Sequence, residues 1–254
     1  MLHYGEEPVI SGAFGAGAVF FSGCTLRCSY CQNAEISERG KGKPSRNLRR
    51  IFERLIDEGA QCLELVTPTH FLPDLLPALT PKLPVPVVYN CGGYESVETL
   101  RTLEGLVDVY LPDLKYADNA LAEKFSHAPD YFETATAAIR EMVRQTGEAV
   151  IEDGIMMRGV LIRHLVLPNC LENTLKVIEW VAESFPRNSV LFSLMSQYVP
   201  MNGVGAPLDR RITQEEYDGA LSWMELCGLQ NGFAQDLAAA TTELLPKFDF
   251  EGIF

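Results

Sequence analysis

The sequence predicts an α/β fold, a partial (β/α)6 barrel in which six parallel strands alternate with helices. Three observations support this prediction. The chain has 254 residues, of which 47% are hydrophobic, and this is enough to bury a full-sized core. Six short apolar runs are each followed by a segment with apolar residues at helical spacing. No repeat, low-complexity stretch or linker-like composition divides the chain, so we expect a single domain.

The domain is expected to span residues 1–254, with a short N-terminal arm over 1–17, a core over about 18–236 and a tail over 237–254. The predicted strands cover residues 18–23, 62–66, 85–90, 107–111, 159–167 and 190–195. The predicted helices cover residues 47–59, 74–79, 96–104, 119–147, 172–185 and 214–227. Segment 148–159 is expected to be an insertion or a hairpin.

Local signals mark several of these elements. Leu48, Phe52 and Leu55 lie at helical spacing in the first helix, which ends at a glycine. Thr213 and Glu216 form a capping box at the start of the last helix. Repeated strand-then-helix units favour parallel strands with right-handed crossovers, and in such barrels the active site lies at the carboxyl ends of the strands.

Charge and composition exclude several classes of protein. The chain carries 21 Lys and Arg against 34 Asp and Glu, a formal net charge of −13, so its surface repels phosphate backbones and nucleic acid is not expected as a partner. It shows no signal peptide and no apolar run of about 18 residues that could cross a membrane. We therefore expect a soluble, cytoplasmic protein, whose seven cysteines do not form a disulfide framework.

Three of the seven cysteines are clustered in the chain. Cys24, Cys28 and Cys31 follow the first predicted strand directly, whereas the other four are scattered. A loop that leaves a strand can fold three thiolates around one inorganic centre, and iron–sulfur clusters are held by cysteine thiolates. With three ligands for four irons, one iron would stay open to another molecule. The alternatives are a structural zinc site completed by a histidine or a fourth cysteine, and three buried thiols; the chain has no second C-x2-C half-site for zinc.

The spacing C-x3-C-x2-C, with Tyr30 directly before the last cysteine, resembles the signature of the radical S-adenosylmethionine (radical SAM) superfamily. This resemblance implies a radical SAM core, a partial TIM-like barrel, and one 4Fe-4S cluster held by Cys24, Cys28 and Cys31. The unique iron of such a cluster binds the amino and carboxylate groups of S-adenosyl-L-methionine (SAM). An electron from the cluster then splits SAM into methionine and a 5′-deoxyadenosyl radical, which abstracts a hydrogen atom.

Polar residues follow the other predicted strands. The segment Thr67-Pro-Thr-His70 comes after the second strand and Asn90-Cys-Gly-Gly-Tyr94 after the third. Asp113 and Lys115 come after the fourth, two residues apart and so on one strand face. These two could form a surface ion pair, but at the mouth of a barrel they are well placed to contact a zwitterion.

Together these segments resemble the glycyl-radical-enzyme activating proteins of the pyruvate formate-lyase activase type, and more closely their uncharacterised relatives. The resemblance runs from about residue 6 to residue 236 and implies contacts to SAM at the strand ends. Thr67, Thr69 and His70 stand where many radical SAM proteins have Gly-Gly-Glu, which contacts the SAM amino group. The remaining implied SAM-binding residues are Asn90 in place of an Asp, Asp113 and Lys115 in an Asp-x-Lys element, Arg163 on the fifth strand, and Tyr198 in place of a His.

The resemblance predicts a radical SAM oxidoreductase that forms a glycyl radical on a partner enzyme. One alternative is radical SAM modification of a small molecule or peptide, and another is a non-catalytic zinc-binding scaffold. A basic segment follows the cysteine loop and is either a solvated face or a docking site for an acidic partner or an electron donor such as flavodoxin or ferredoxin. Its residues are Arg39, Lys41, Lys43, Arg46, Arg49, Arg50 and Arg54.

Overall fold

The computed structural model describes residues 1–44, 47–201 and 203–237. The strands are β1 (Leu2–His3), β2 (Ala16–Phe20), β3 (Leu63–Val66), β4 (Val87–Cys91), β5 (Val109–Pro112), β6 (Val150–Glu152), β7 (Ile155–Leu165), β8 (Leu191–Met195) and β9 (Gly232–Ala234). The helices are α1 (Pro8–Ser11), α2 (Ala34–Ser37), α3 (Leu48–Asp57), α4 (Leu72–Ala78), α5 (Val97–Arg101), α6 (Asn119–Ser126), α7 (Tyr131–Thr146), α8 (Leu171–Ser184) and α9 (Gln214–Leu226). Of the predicted tail, residues 238–254 lie outside the described part.

The strands form one sheet in the order β1-β2-β3-β4-β5-β7-β8-β9, with β6 paired to β7. From β2 to β9 along this path, each strand is parallel to the next. The predicted α/β fold, a curled partial barrel of parallel strands with helical crossovers, is therefore confirmed. The predicted number of parallel strands was wrong, because β9 adds a seventh beside β8. At three residues, this strand is too short to show an apolar pattern in the sequence.

Two antiparallel strands flank the parallel ones. The two-residue strand β1 pairs with β2, and it lies in the short N-terminal arm that was predicted over residues 1–17. Strand β6 pairs with the start of β7, so the segment predicted as an insertion or hairpin is a hairpin. Asp153 and Gly154 at its turn have φ of 49° and 82°, the backbone that a two-residue hairpin turn requires.

Helix ends follow the caps that the sequence contains. The Thr213 side chain accepts a hydrogen bond from the Glu216 amide and Glu216 reaches back to the Thr213 amide, which confirms the predicted capping box. The region predicted as helical over 119–147 divides into α6 and α7. The break lies at His127, which takes a left-handed conformation with φ of 55°, and Pro129 follows it.

The inner face of the sheet changes from apolar to polar along the strands. The apolar part of this face packs around the short helix α1. The residues of this cluster are Val9, Ile10, Ala16, Cys62, Val88, Val109, Leu111, Met156, Leu161 and Leu191. Two residues further along the strands, the same face carries Glu64, Asn90 and Arg163. The polar residues of the inner face therefore lie beyond the apolar cluster, at the carboxyl ends of the strands.

In the part of the chain that the structure describes, no helix is both long enough and apolar enough to cross a membrane.

Candidate active site

The three clustered cysteines lie in the loop between β2 and α2 and line one cavity of about 240 Å³ at the carboxyl ends of the strands. Helix α6 anchors this loop. The backbone amides of Arg27 and Ser29 donate to the carbonyls of Ser126 and Phe125 at 3.2 and 2.8 Å. Carbonyls in the last turn of a helix lack partners within the helix, so the loop satisfies them. The helix end therefore holds the cysteine loop in place.

Two of the cysteine sulfurs each contact a serine hydroxyl. Ser126 Oγ donates to Cys28 Sγ at 3.1 Å, and Cys31 Sγ lies 3.3 Å from Ser37 Oγ. Behind Ser126, the hydroxyls of Tyr116 and Tyr30 continue a buried chain with spacings of 2.7 Å. Sequence reasoning missed this support, since Ser126 is far from the cysteines along the chain.

The three thiols of the cysteine loop match the ligands of an iron–sulfur cluster, which is held by cysteine thiolates. All three cysteines are free thiols on one cavity. Burial raises the pKa of the Cys28 thiol to about 11, so a bound cation would be needed to hold it as a thiolate. Among residues 1–44, 47–201 and 203–237, no three His, Cys, Asp or Glu side chains converge on one metal-ion position.

Arg163 on β7 is the centre of the polar network in this cavity. Its guanidinium donates to Asp113 Oδ1 at 3.0 Å, to Glu6 Oε2 at 2.8 Å and to Asn90 Oδ1 at 2.8 Å. The Lys115 ammonium donates to the other Asp113 oxygen. Four of the residues predicted from the sequence, Asn90, Asp113, Lys115 and Arg163, are therefore brought together, and all four line the cavity.

The ion pair of Asp113 and Lys115 is not a surface pair, because both side chains are less than a fifth exposed. Burial acts to raise the pKa of Asp113, but the charges of Lys115 and Arg163 outweigh it and lower this pKa. Asp113 is therefore held ionised inside the cavity. Its carboxylate and the neighbouring ammonium present both signs of charge to a bound molecule.

Of the segment after β3, only Thr67 lines the cavity. Its φ of 57° is in the left-handed region, which is costly for a β-branched residue. Thr69 lies elsewhere and donates to Glu95 Oε1 at 2.8 Å. His70 Nε2 contacts the Ser22 carbonyl, and its ring packs against Gly23 in the cysteine loop. Thr69 and His70 thus support the surrounding loops in this structure.

Tyr198 also lies away from the cavity lining. It is buried, donates to the Leu208 carbonyl at 2.6 Å and packs edge-on against Tyr30 with 6.0 Å between ring centroids. His164, which follows Arg163 on β7, is fully buried and bonds through both ring nitrogens to the Leu114 carbonyl and to Thr174. Burial lowers its pKa to about 4, so it is a neutral core histidine.

The structure adds four acidic residues that sequence reasoning did not select. Glu6 and Glu7 line the cavity, and Glu64 on β3 binds the Asn90 amide at 2.6 Å. Glu95, after β4, supports Thr69. One signal was present for Glu64, a charged residue inside the apolar run Leu63-Glu-Leu-Val66. Such a residue in a fully buried strand has to find a polar partner.

Glu95 gives a testable dependence of stability on pH. It is 4% exposed and one of its oxygens has no partner among the described residues, so burial raises its pKa from 4.5 to about 7. Because folding raises the pKa of this carboxyl group, the folded state binds the proton more tightly than the unfolded state does. Below the unfolded pKa the group therefore contributes its full stabilisation, and this stabilisation is lost as the pH rises through 7. Glu95→Gln should therefore gain about 2–3 kcal/mol relative to wild type between pH 5 and pH 8, measured by urea unfolding.

The matched control is Glu98→Gln, which removes the same charge at an exposed position on α5 and should leave the difference from wild type small at every pH. Unfolding curves of wild type and Glu95→Gln that shift in parallel with pH would show that Glu95 does not carry this dependence.

No protein-family model matches the chain. An uncharacterized protein of Methanocaldococcus jannaschii is 30% identical in an alignment of 239 residues that covers 88% of this chain. The chain spans 65% of the length of that relative.

Several solved structures share the fold of this protein over most of its chain. SuiB of Streptococcus suis bound to S-adenosylmethionine has a TM-score of 0.55 at 14% identity, with 89% of this chain and 49% of that chain covered. Spore photoproduct lyase with bound AdoMet and a dinucleoside spore photoproduct has a TM-score of 0.55 at 14% identity, covering 86% and 76%. Methylornithine synthase (PylB) has a TM-score of 0.54 at 14% identity, covering 91% and 75%.

At this level of identity the likeness concerns the fold. The chain shares its partial barrel fold with these three proteins, and its cysteine loop leaves the first of the parallel strands.

Proposed function

We propose that the protein is a radical SAM enzyme. One observation carries the proposal: three free cysteines on a single loop line the same cavity as Asn90, Asp113, Lys115 and Arg163, at the carboxyl ends of parallel strands. When bound there, a 4Fe-4S cluster supplies the electron that cleaves SAM reductively to methionine and a 5′-deoxyadenosyl radical, which abstracts hydrogen from the substrate.

The chain's own residues would hold and orient these groups. Cys24, Cys28 and Cys31 would bind three irons, and the fourth would stay open for SAM. The ionised Asp113 and the Asn90 amide oxygen can accept hydrogen bonds from ammonium or hydroxyl groups, whereas Lys115 can donate to a carboxylate. Thr67 adds a hydroxyl on the same cavity. These residues suit an amino acid zwitterion such as the methionine part of SAM.

We further propose that the hydrogen is taken from a glycine of a partner protein, a glycyl radical enzyme. The strand-end segments support this, since they resemble those of the glycyl-radical-enzyme activating proteins. The sheet supports it as well: in the described residues β1 and β9 are its two edges and do not pair, which leaves a lateral opening for a loop of a macromolecule.

The electron donor, a flavodoxin or ferredoxin, is proposed to dock on the basic segment beside the cysteine loop. Three of its charges are paired with neighbouring acids, Lys41 with Glu35 at 3.0 Å, and Arg49 and Arg54 with carboxylates one helical turn away. Arg46 lies outside the described residues. Exposed charges of this kind mainly raise the rate of association at low salt, so we expect electron transfer to slow as ionic strength rises.

Anaerobic reconstitution with iron and sulfide tests the proposal. We expect about four irons per chain, as in one 4Fe-4S cluster, and release of 5′-deoxyadenosine when SAM and dithionite are added. A colourless protein that binds zinc, or an intact cluster without 5′-deoxyadenosine, would contradict the proposed reaction. Electron paramagnetic resonance of mixtures with candidate glycyl radical enzymes tests the substrate: a persistent glycyl doublet supports activation, whereas turnover without it supports a small molecule or a peptide.

A further inference from the structure

One end of the cavity is lined by Glu6 and Glu7, with Glu64 and Ser193 on the inner face of the sheet beside them. We call these four residues the acidic recess. Glu6 and Glu7 are part of the cavity lining, and Glu64 and Ser193 are fully buried. The charge of Glu7 acts to raise the pKa of Glu64, and a hydrogen bond from the Ser193 hydroxyl acts to lower the pKa of Glu7. None of the four is among the residues assigned to SAM above.

The cations of the cavity do not compensate all of these carboxyl groups. In the described part of the chain, Lys115 and Arg163 are the lysine and arginine residues that line the cavity. Lys115 binds Asp113, and the three guanidinium nitrogens of Arg163 donate to Asp113, Glu6 and Asn90. Two carboxyl groups, those of Glu7 and Glu64, are therefore left without a cation bound to them.

The same two carboxyl groups have unused hydrogen-bonding capacity. Glu7 is 7% exposed and Glu64 is fully buried, and the Oε2 atom of each has no partner within residues 1–44, 47–201 and 203–237. Buried polar groups are normally satisfied, so two unsatisfied acceptors on neighbouring carboxyl groups require an explanation. A donor that enters from the cavity would satisfy Glu7, which lines the cavity, and its charge would lie beside the fully buried Glu64.

We propose that the acidic recess binds a cationic nitrogen group of the substrate, a protonated amine or a guanidinium, whose N–H groups donate to Glu7 and whose charge is balanced by Glu7 and by Glu64 buried beside it. The proposal rests on the proposed function, because this group would sit at one end of the cavity in which SAM is bound. A cation with several N–H groups supplies both the charge and the donors that the recess lacks. Small amines and the lysine or arginine side chains of a protein loop share this chemistry.

Isothermal titration calorimetry on the reconstituted, SAM-loaded protein tests the recess. The probes are butylguanidinium, butylammonium and butylurea, the last a neutral molecule of similar shape. We expect the cations to bind and butylurea to bind at least about tenfold more weakly, a difference of about 1.4 kcal/mol. A blocked Gly-Gly-Arg-Gly-Gly peptide distinguishes the sources: binding as tight as that of butylguanidinium indicates a protein side chain, and weaker binding indicates a small molecule.

Variants locate the cation. Glu7→Gln and Glu64→Gln should each weaken cation binding at least about tenfold while SAM affinity changes less. Because the two residues lie on different elements, either variant serves if the other fails to fold. Glu172→Gln is the control, since it removes the same charge from a side chain that is 83% exposed, and it should leave cation binding unchanged.

Three results would overturn the inference: equal binding of butylurea and the cations, cation binding unaffected by both glutamine variants, or an equal loss of SAM and cation affinity in Glu7→Gln, which would assign the recess to SAM. The proposed function fails on a different measurement, the absence of 5′-deoxyadenosine from protein with an intact cluster. The two failures can therefore be told apart.

Discussion

A Cys28→Ala variant should lose the iron–sulfur cluster and release 5′-deoxyadenosine more than about 100-fold more slowly than wild type. Changes to residues that merely orient a metal ligand typically cost 10- to 100-fold in metal affinity or activity, so loss of a ligand should cost more. Cys28 is the cysteine most closely supported by the protein, through Ser126 Oγ at 3.1 Å and the tyrosine hydroxyls behind it. Iron content, visible absorbance and product formation after anaerobic reconstitution measure the effect.

Cys227→Ala is the matched control. Cys227 is one of the scattered cysteines, half-buried at the C-terminal end of α9. Its removal should leave the iron content and the rate of SAM cleavage as in wild type. If Cys28→Ala retains a full complement of iron and cleaves SAM at the wild-type rate, Cys28 is not a cluster ligand and the proposed cysteine site is wrong.

Replacement of Arg163 by glutamine should lower the free energy of unfolding of the metal-free protein by about 3–5 kcal/mol, the usual cost of removing one partner of a buried ion pair. Arg163 is 12% exposed and is bonded to two carboxylates, Glu6 and Asp113, and to Asn90. The burial of Glu7 and Glu64 raises the pKa of both, and the positive charge of Arg163 opposes that rise. Without Arg163, these carboxyl groups would have to bind protons or remain buried as unpaired charges.

The loss of stability in Arg163→Gln should depend on pH. In Arg163→Gln the carboxyl groups can be neutralised by protonation, so the deficit in stability should be smaller at pH 5 than at pH 8. Urea unfolding at the two pH values measures the deficit.

Arg54→Gln is the control, because Arg54 forms an ion pair with Glu58 at 2.8 Å but is about half exposed, and such pairs contribute about 0–1 kcal/mol. A loss below about 1 kcal/mol in Arg163→Gln as well would mean that the network around Arg163 does not stabilise the fold.

Much of the fold could be read from local patterns. The alternation of apolar runs and amphipathic segments predicted the α/β barrel, because burial of a strand between helices imposes apolar residues on it whatever its partners are. The capping box of Thr213 and Glu216 is also local, since its two hydrogen bonds join residues three apart. Strands β1 and β9 were not predicted, because two or three residues cannot show a period.

The candidate site was predicted only in part. Asn90, Asp113, Lys115 and Arg163 line the cavity as expected, because residues at the carboxyl ends of neighbouring parallel strands meet at one edge. Thr69 was placed by the same reasoning but lies in a short 3-10 turn, Thr69–Phe71, which directs it to Glu95. The direction of a side chain that follows a strand depends on the conformation of the next turn. That conformation depends on how the turn packs against the rest of the protein.

The sequence by itself determined the strand and helix alternation and the three cysteines on one loop, since both depend on residues near each other in the chain. Only the tertiary structure decided which distant groups compensate one another. Ser126 reaches Cys28 across 98 residues, and Arg163 reaches Glu6 across 157. The unsatisfied oxygens of Glu7 and Glu64 are visible for the same reason, because pairing of buried charges depends on distances in space that no local pattern contains.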